Sequence, residues 1–392
     1  MSFSSCSFNQ NEQVVEPRGV DVRETREDEI LNQVMEMTLD EKIGQLFIGG
    51  IDGNTSLTQN DISFIRDLKI GGLIFFGRNI STANQTINLI NQIKTINNEM
   101  GNIPLFISLD QEGGLVTRLP KEINKFPKAN QIGEVNDENY AYNIGKLTGE
   151  IIYSLGFNMD FAPVLDVYTN LQNTVIGSRS FSSDKEIVAK LGVAMMKGLK
   201  DSGIIAVGKH YPGHGDTYED SHEELPVLQH NYERLIDVEL YPFKVAIENG
   251  MDSLLVSHLF YPRIDSENIA TLSRIFLFEI LRKELGFRGI VITDDMIMKG
   301  LTDTNSIPEA SLKALKAGVD ILLIGSGYEN ILNSVDRIKQ AVLDGEIQEF
   351  EIDRKVYNIL RIKKQYGINN KIVKSVDVFE INNKINELLN KN

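Results

Sequence analysis

Gly289-Ile290-Val291-Ile292-Thr293-Asp294-Asp295 is a run of β-branched residues that stops abruptly at two carboxylates. Nothing in it alternates polar with apolar, so a strand built from it would be buried on both faces, as in a parallel sheet covered on both sides. Similar short apolar runs occur at Ile43–Ile51, Gly71–Gly77, Pro104–Asp110, Asn158–Asp166, Ile204–His210, Ser253–His258 and Val319–Gly325. Between them lie stretches with helical spacing, among them Asn84–Asn98, Tyr140–Leu155, Glu186–Ser202, Tyr232–Asn249, Arg274–Leu285 and Pro308–Ala317. Strand–helix alternation of this kind implies right-handed βαβ crossovers. Eight such units close into a barrel more naturally than they spread into an open sheet. The expectation is therefore a single (β/α)8 barrel of the TIM type, with an open doubly wound sheet as the alternative.

Outside the barrel, Asn330–Leu343 reads as the closing helix and Ile352–Lys364 as a further helix against the barrel wall, a C-terminal helical extension. Residues 1–29 are polar and non-periodic, the pattern of a disordered leader. The barrel domain is expected over residues 30–370, followed by a charged tail, 371–392, with a short helical pattern in Asp377–Asn392.

Composition narrows the partners. The 392 residues carry 40 basic and 55 acidic side chains, a formal charge of −15, with no cluster of Lys or Arg. A nucleic-acid partner would need such a cluster, so none is expected. No apolar stretch approaches the ~20 residues that span a bilayer. Cys6 is the single cysteine, which excludes an internal disulfide and a thiolate metal cluster. Phe3-Ser4-Ser5-Cys6 looks like the end of a lipoprotein signal, but the hydrophobic part such a signal requires is absent. A cytoplasmic monomer is the default expectation, and an extracytoplasmic lipoprotein the alternative if Cys6 closes a lipobox.

In barrels the chemistry sits at the carboxyl ends of the strands. Here five successive runs end in Asp110, Asp166, Lys209-His210, His258 and Asp294-Asp295. One strand-end Asp often only caps the next helix; five titratable ends in a row point to a site. The loop from Lys209 to His222 adds three of the chain's five histidines on a glycine- and proline-rich segment, suggesting a lid that carries a proton-transfer group. Two chemistries compete for it. His210, His214, Asp216 and His222 could ligate a metal, although ligands prefer stiffer elements; or one histidine, oriented by an acid, could serve acid–base catalysis. A Schiff base on Lys209 is a third reading. No metal or organic cofactor is expected.

Leu281-Arg282-Lys283-Glu284-Leu285-Gly286-Phe287-Arg288-Gly289-Ile290-Val291-Ile292-Thr293-Asp294 resembles the active-site signature of glycoside hydrolase family 3. Lys209-His210-Tyr211-Pro212-Gly213-His214-Gly215-Asp216-Thr217 with Asp220-Ser221-His222 is similar to the hallmark of its N-acetylglucosaminidase branch. Leu109-Asp110-Gln111-Glu112-Gly113-Gly114 and Gly177-Ser178-Arg179-Ser180-Phe181 resemble two further family segments, and the likeness runs from Met37 to Leu343.

The resemblance implies a retaining exo-β-N-acetylglucosaminidase acting on a small carbohydrate, from peptidoglycan or chitin. Asp294 would be the nucleophile that forms a glycosyl ester, and His222, oriented by Asp220, the general acid/base. A histidine's ordinary pKa of ~6.5, raised by a neighbouring carboxylate, suits it to protonate a leaving oxygen near neutrality. A neutral base also repels phosphate less than a carboxylate would, so a phosphorylase is the alternative activity, and a barrel that binds sugar without catalysis a further one. By the same resemblance Asp110, Arg179, Lys209 and His210 would hydrogen-bond the terminal sugar, with Arg118 close by and Asp166 behind them. His258 reads equally as pocket wall or as a satisfied core histidine. Asp295, one residue past the nucleophile, should point away from the mouth. His214 and Asp216 should brace the loop, and His230, at a helix start, should be structural. Leu115 stands where many relatives have Arg, which leaves the aglycone-side contacts in doubt.

Overall fold

The computed structural model describes residues 22–218 and 225–390. It opens with α1 (Val22–Glu36), so residues 22–29, expected in the leader, are already helical. Next comes α2 (Leu39–Gln45), which corrects the expected first strand. Thr38 and Glu41 form a capping box: Thr38 Oγ1 accepts from the Glu41 N–H at 3.3 Å, and the Glu41 carboxylate accepts from the Thr38 N–H at 2.8 Å. That cap starts a helix, which carries Ile43–Gln45, and β1 is confined to Phe47–Gly50.

The remaining units follow in the expected alternation. They run α3 (Gln59–Arg66), β2 (Gly72–Phe75), α4 (Ala83–Glu99), β3 (Phe106–Leu109), α5 (Ala129–Val135), α6 (Glu138–Leu155), β4 (Met159–Asp160), α7 (Lys185–Asp201) and β5 (Ile205–Tyr211). After β5 come α8 (Tyr232–Arg234), α9 (Tyr241–Glu248), β6 (Ser253–Val256), β7 (Ile290–Thr293), α10 (Lys299–Thr302), α11 (Ile307–Ala317), β8 (Leu322–Ile324) and α12 (Tyr328–Leu343). Two expected helices are partly wound more widely than an α-helix. Leu235–Glu239 and Ile275–Glu284 take π geometry, with i→i+5 bonds such as Leu285 N–H to Ile280 O.

The strands are parallel in the order β7-β6-β5-β4-β3-β2-β1-β8. The ends of this row meet. Ile292 bridges Ile321, and the Thr293 N–H donates to Ile321 O at 3.0 Å. The sheet therefore closes as a (β/α)8 barrel, and the open-sheet alternative is set aside. Strand β4 is short because Pro163 has no N–H to give; past it the ladder continues through Lys209 N–H to Pro163 O and Leu165 N–H to Lys209 O.

Helix α13 (Glu349–Gln365) closes the amino-terminal end of the barrel. Lys355 Nζ donates to Val319 O at 2.6 Å, ahead of β8. Lys363 Nζ reaches Gln45 Oε1 and Gly71 O at 2.7 and 2.8 Å, ahead of β1 and β2. The charged segment 371–392 holds a helix where the sequence shows a short helical pattern. Its helix α14 (Val378–Leu389) packs on α6 and buries Ile385 fully. Asn382 and Asn386 bond Asn124 at 2.8 and 3.0 Å. The apolar side of this short helix (Ile381, Ile385, Leu388, Leu389) supplies the reason.

No helix among the described residues is long and apolar enough to cross a membrane. Cys6 lies outside the described residues.

Candidate active site

At the carboxyl end of the barrel is a cavity of about 420 Å³, lined among others by Asp110, Glu112, Arg118, Arg179, Lys209, His210, His214, Asp294 and Asp295. Seven strands, β2 to β8, and their loops contribute, because each strand's hydrogen-bonded run ends at the rim and hands its next residue to the mouth.

Lys209, in β5, reaches across the mouth. Its Nζ lies 2.7 Å from Asp110 Oδ1 and 2.7 Å from Glu112 Oε1. Glu112 in turn accepts two bonds from Arg179, Nε to Oε2 and Nη2 to Oε1. Burial alone would raise the Glu112 carboxyl, but Lys209 and Arg179 outweigh it and hold it well below the usual carboxylate range. Burial would likewise lower Lys209, yet Asp110 and Glu112 keep its ammonium above the ordinary lysine value. With its Nζ held between two carboxylates at 2.7 Å, Lys209 is committed to this ion-pair network, and the Schiff-base reading is set aside.

Arg179 Nη2 also lies 3.2 Å from His210 Nε2, while His210 Nδ1 sits 2.6 Å from Asp166 Oδ2. Since a carboxylate only accepts and a guanidinium only donates, Nδ1 carries the ring proton and Nε2 accepts. Asp166 is fully buried, and its Oδ1 accepts from the His214 backbone N–H at 2.7 Å. Burial raises its carboxyl, but its interaction with His210 and its bonds to His214 prevail and hold it low. Asp166 thus holds the His210 ring in place.

Asp294 follows β7 directly. Its backbone N–H donates to Val256 O at 2.8 Å, and its Oδ1 accepts from the Asp295 N–H at 2.9 Å. Asp295 Oδ1 accepts from the Gly325 N–H at 2.8 Å, tying β7 to β8. The side chain nevertheless lines the cavity, so the expectation that it points wholly away from the mouth is corrected. The turn after β7 breaks the period-two alternation.

Arg118 lines the cavity, with its N–H on Gln111 Oε1 at 2.8 Å and its Nη1 on Thr117 O at 3.3 Å. His258 is corrected as a sugar-contact candidate. It is fully buried, does not line the cavity, and places Nδ1 2.8 Å from Thr271 Oγ1 and Nε2 3.2 Å from Asp295 O. It supports the β7 turn from below.

The loop after β5 is anchored before it leaves the described residues. Gly215 lies so close to the β4 loop that a Cβ there would come within 1.9 Å of Val167 O. Asp216 accepts from Thr169 Oγ1 at 2.7 Å and lies 2.9 Å from His230 Nε2, so both it and His230 brace the loop. His214 Nδ1 sits 2.9 Å from Thr217 Oγ1, yet His214 also lines the cavity. Burial and the neighbouring His210 lower its pKa to about 4. With His210 and Asp216 engaged by different partners, no group of three or more His, Cys, Asp or Glu among the described residues is arranged to hold a metal ion. Asp220 and His222 lie outside the described residues.

Sequence reading missed Glu112 as a site residue, although it follows Asp110 at period two on the same loop. Asp160, buried in β4 and not lining the cavity, supports the β3 loop from below: it accepts from the Gln111 N–H at 2.8 Å and is raised by burial well above the ordinary carboxyl value. No sequence signal marks Asp160, whose position within an apolar run resembles any core residue.

The model of the glycosyl hydrolase family 3 N terminal domain matches residues 38–362. A beta-hexosaminidase of Nitrosomonas eutropha is 36% identical over 276 residues, covering 69% of this chain and 78% of its own length. Beta-hexosaminidase A of Pseudoalteromonas piscicida is 34% identical over 293 residues, 70% of this chain, and there the match spans only 49% of the relative. Among solved structures, a glycoside hydrolase family 3 beta-N-acetylglucosaminidase of Paenibacillus superposes with a TM-score of 0.86 at 35% identity, covering 90% of this chain and 68% of that one.

Proposed function

Since the chain belongs to glycosyl hydrolase family 3, we propose that it is a retaining exo-β-N-acetylglucosaminidase, a glycoside hydrolase that removes terminal β-linked N-acetylglucosamine from oligosaccharides. The observation that carries the reading is the convergence on one cavity of Asp294 with the Asp110–Lys209–Glu112–Arg179–His210 network. The likeness to enzymes called beta-hexosaminidase and beta-N-acetylglucosaminidase supports the same sugar.

In the proposed mechanism Asp294 attacks the anomeric carbon and forms a glycosyl ester, from which water later releases the sugar. Asp110, Lys209, Arg179 and His210 Nε2 hold the hydroxyls of the terminal ring, and Arg118 closes that side. Charge-assisted bonds of this kind are roughly twice as strong as neutral ones, so they fix the ring for in-line attack. His222, with Asp220, is assigned proton transfer to the leaving oxygen on the strength of the sequence resemblance.

The test is hydrolysis of a chromogenic β-N-acetylglucosaminide beside the matching β-glucoside, with a 2-deoxy-2-fluoro or 5-fluoro sugar as trap. Preference for the first substrate and labelling of Asp294 are expected. A label on any other carboxylate would remove Asp294 from its role, and N-acetylglucosamine 1-phosphate as the product in phosphate buffer would make the protein a phosphorylase.

A further inference from the structure

At the end of the barrel opposite the mouth lies a second cavity, of about 330 Å³. It is lined by the chain entering β4 and β5 (Gly156, Phe157, Gly203), by α4 and α6, and by the segment 366–373 that follows α13. Two asparagines of α4 fix that segment in place. Asn91 Nδ2 donates to Val373 O at 2.9 Å, and Asn91 Oδ1 accepts from the Val373 N–H at 2.7 Å. Asn97 Nδ2 donates to Asn370 Oδ1 at 3.1 Å. Lys94 stands midway between these asparagines at the spacing that places helix residues on one side, and it lines the cavity they hold open.

Lys94 is only 8% exposed, yet among the described residues nothing bonds or pairs with its amine. The other buried lysines, Lys42, Lys209, Lys355 and Lys363, each meet a carboxylate or carbonyl oxygen. Burial alone acts on Lys94, and it lowers the pKa below the ordinary lysine value. A buried charge needs a partner, and here the cavity is the side from which one can come. The described lining residues include a second lysine, Lys371, but no Asp or Glu, on a chain of charge −15. Tyr366 gives its hydroxyl to Asp252, which lies outside the lining and is met by Lys200 at 2.7 Å. The wall thus favours an anion, and Phe157, Ile368 and Ile372 give it an apolar side. A phosphate would bring two charges to one buried amine and leave its oxygens against those side chains. A carboxylate brings one charge and an apolar body that they can cover.

We infer that this cavity is a binding site for a small organic carboxylate, with Lys94 as its counter-charge and Phe157, Ile368 and Ile372 against its apolar body. A ligand there joins α4 and α6 to the segment leading into α14. The site is separate from the mouth that holds Asp294, and it does not depend on the proposed hydrolase activity.

The experiment is calorimetric titration of the full chain with sodium hexanoate, hexanamide and inorganic phosphate at matched ionic strength. It is run on the parent and on Lys94→Met and Ile372→Glu variants. Hexanoate should bind the parent roughly tenfold tighter than hexanamide, the scale of one hydrogen bond to a charged group, and tighter than phosphate. Lys94→Met keeps an unbranched side chain without the charge and should erase the difference between acid and amide. Ile372→Glu sets a carboxylate on the wall at a position 70% exposed, and should weaken hexanoate binding by a similar factor. As a surface replacement it tests the site even if Lys94→Met fails to fold. Hexanoate that binds no better than hexanamide, hexanoate binding unchanged in either variant, or tighter binding of phosphate would overturn the inference.

Discussion

Glu112 and Arg179 face each other as fork to fork, with parallel bonds of 2.8 and 2.7 Å between the loops that follow β3 and β4. The same carboxylate takes Lys209 from a third element, β5. One buried anion thus fixes the two cations proposed to hold the sugar, and its removal acts on all three loops at once.

Glu112→Gln leaves Lys209 and Arg179 short of their shared counter-charge in a buried place. Breaking a buried pair in this way costs about 3–5 kcal/mol. A drop of that order in urea-denaturation stability is expected, together with a loss of turnover of tenfold or more. A variant as stable as the parent would show that Asp110 alone can balance the two cations.

For His214 the sign of the pH dependence follows from burial. Its pKa falls from 6.5 to about 4 in the folded chain, so between those values the unfolded chain holds a proton that the folded chain does not. The stability contribution is present above pH 6.5 and is lost as pH falls to 4, on the order of 3 kcal/mol in all. His214→Gln removes the titration. The parent should lose more stability than the variant between pH 7 and pH 4.5, and equal losses would show that another group carries the effect.

Asp295→Ala separates the two neighbouring carboxylates. The side chain holds the Gly325 N–H at 2.8 Å, and loss of such a partner costs about 1–3 kcal/mol. The variant should melt earlier but still accept the fluoro-sugar label at Asp294. Asp294→Asn should melt like the parent and lose at least ~10³-fold in kcat. The reverse pattern would exchange the two roles.

Truncation before Asp377 removes α14 and uncovers the α6 surface beneath Ile385. Burial of an aliphatic side chain of that size is worth about 1.5–3 kcal/mol, so a lower thermal midpoint is expected with catalysis retained. An unchanged midpoint would mean that the helix contributes nothing to the barrel.

What the sequence determined by itself was the alternation of buried runs and helices, and with it the barrel and the rim that carries Asp110, Asp166, Lys209, His210 and Asp294. Both follow from local chemistry, since an apolar run buried on both faces and the residue that ends it are visible without knowing the partners. Tertiary structure decided the rest. Glu112 became part of the site only through partners contributed by other elements, Arg179 and Lys209, and Asp160 its support only through the Gln111 N–H. His258 left the candidate list for the same reason. A side chain's role at a barrel mouth depends on which neighbours the closed sheet brings to it, and that is a property of the three-dimensional register, which no stretch of the chain holds alone.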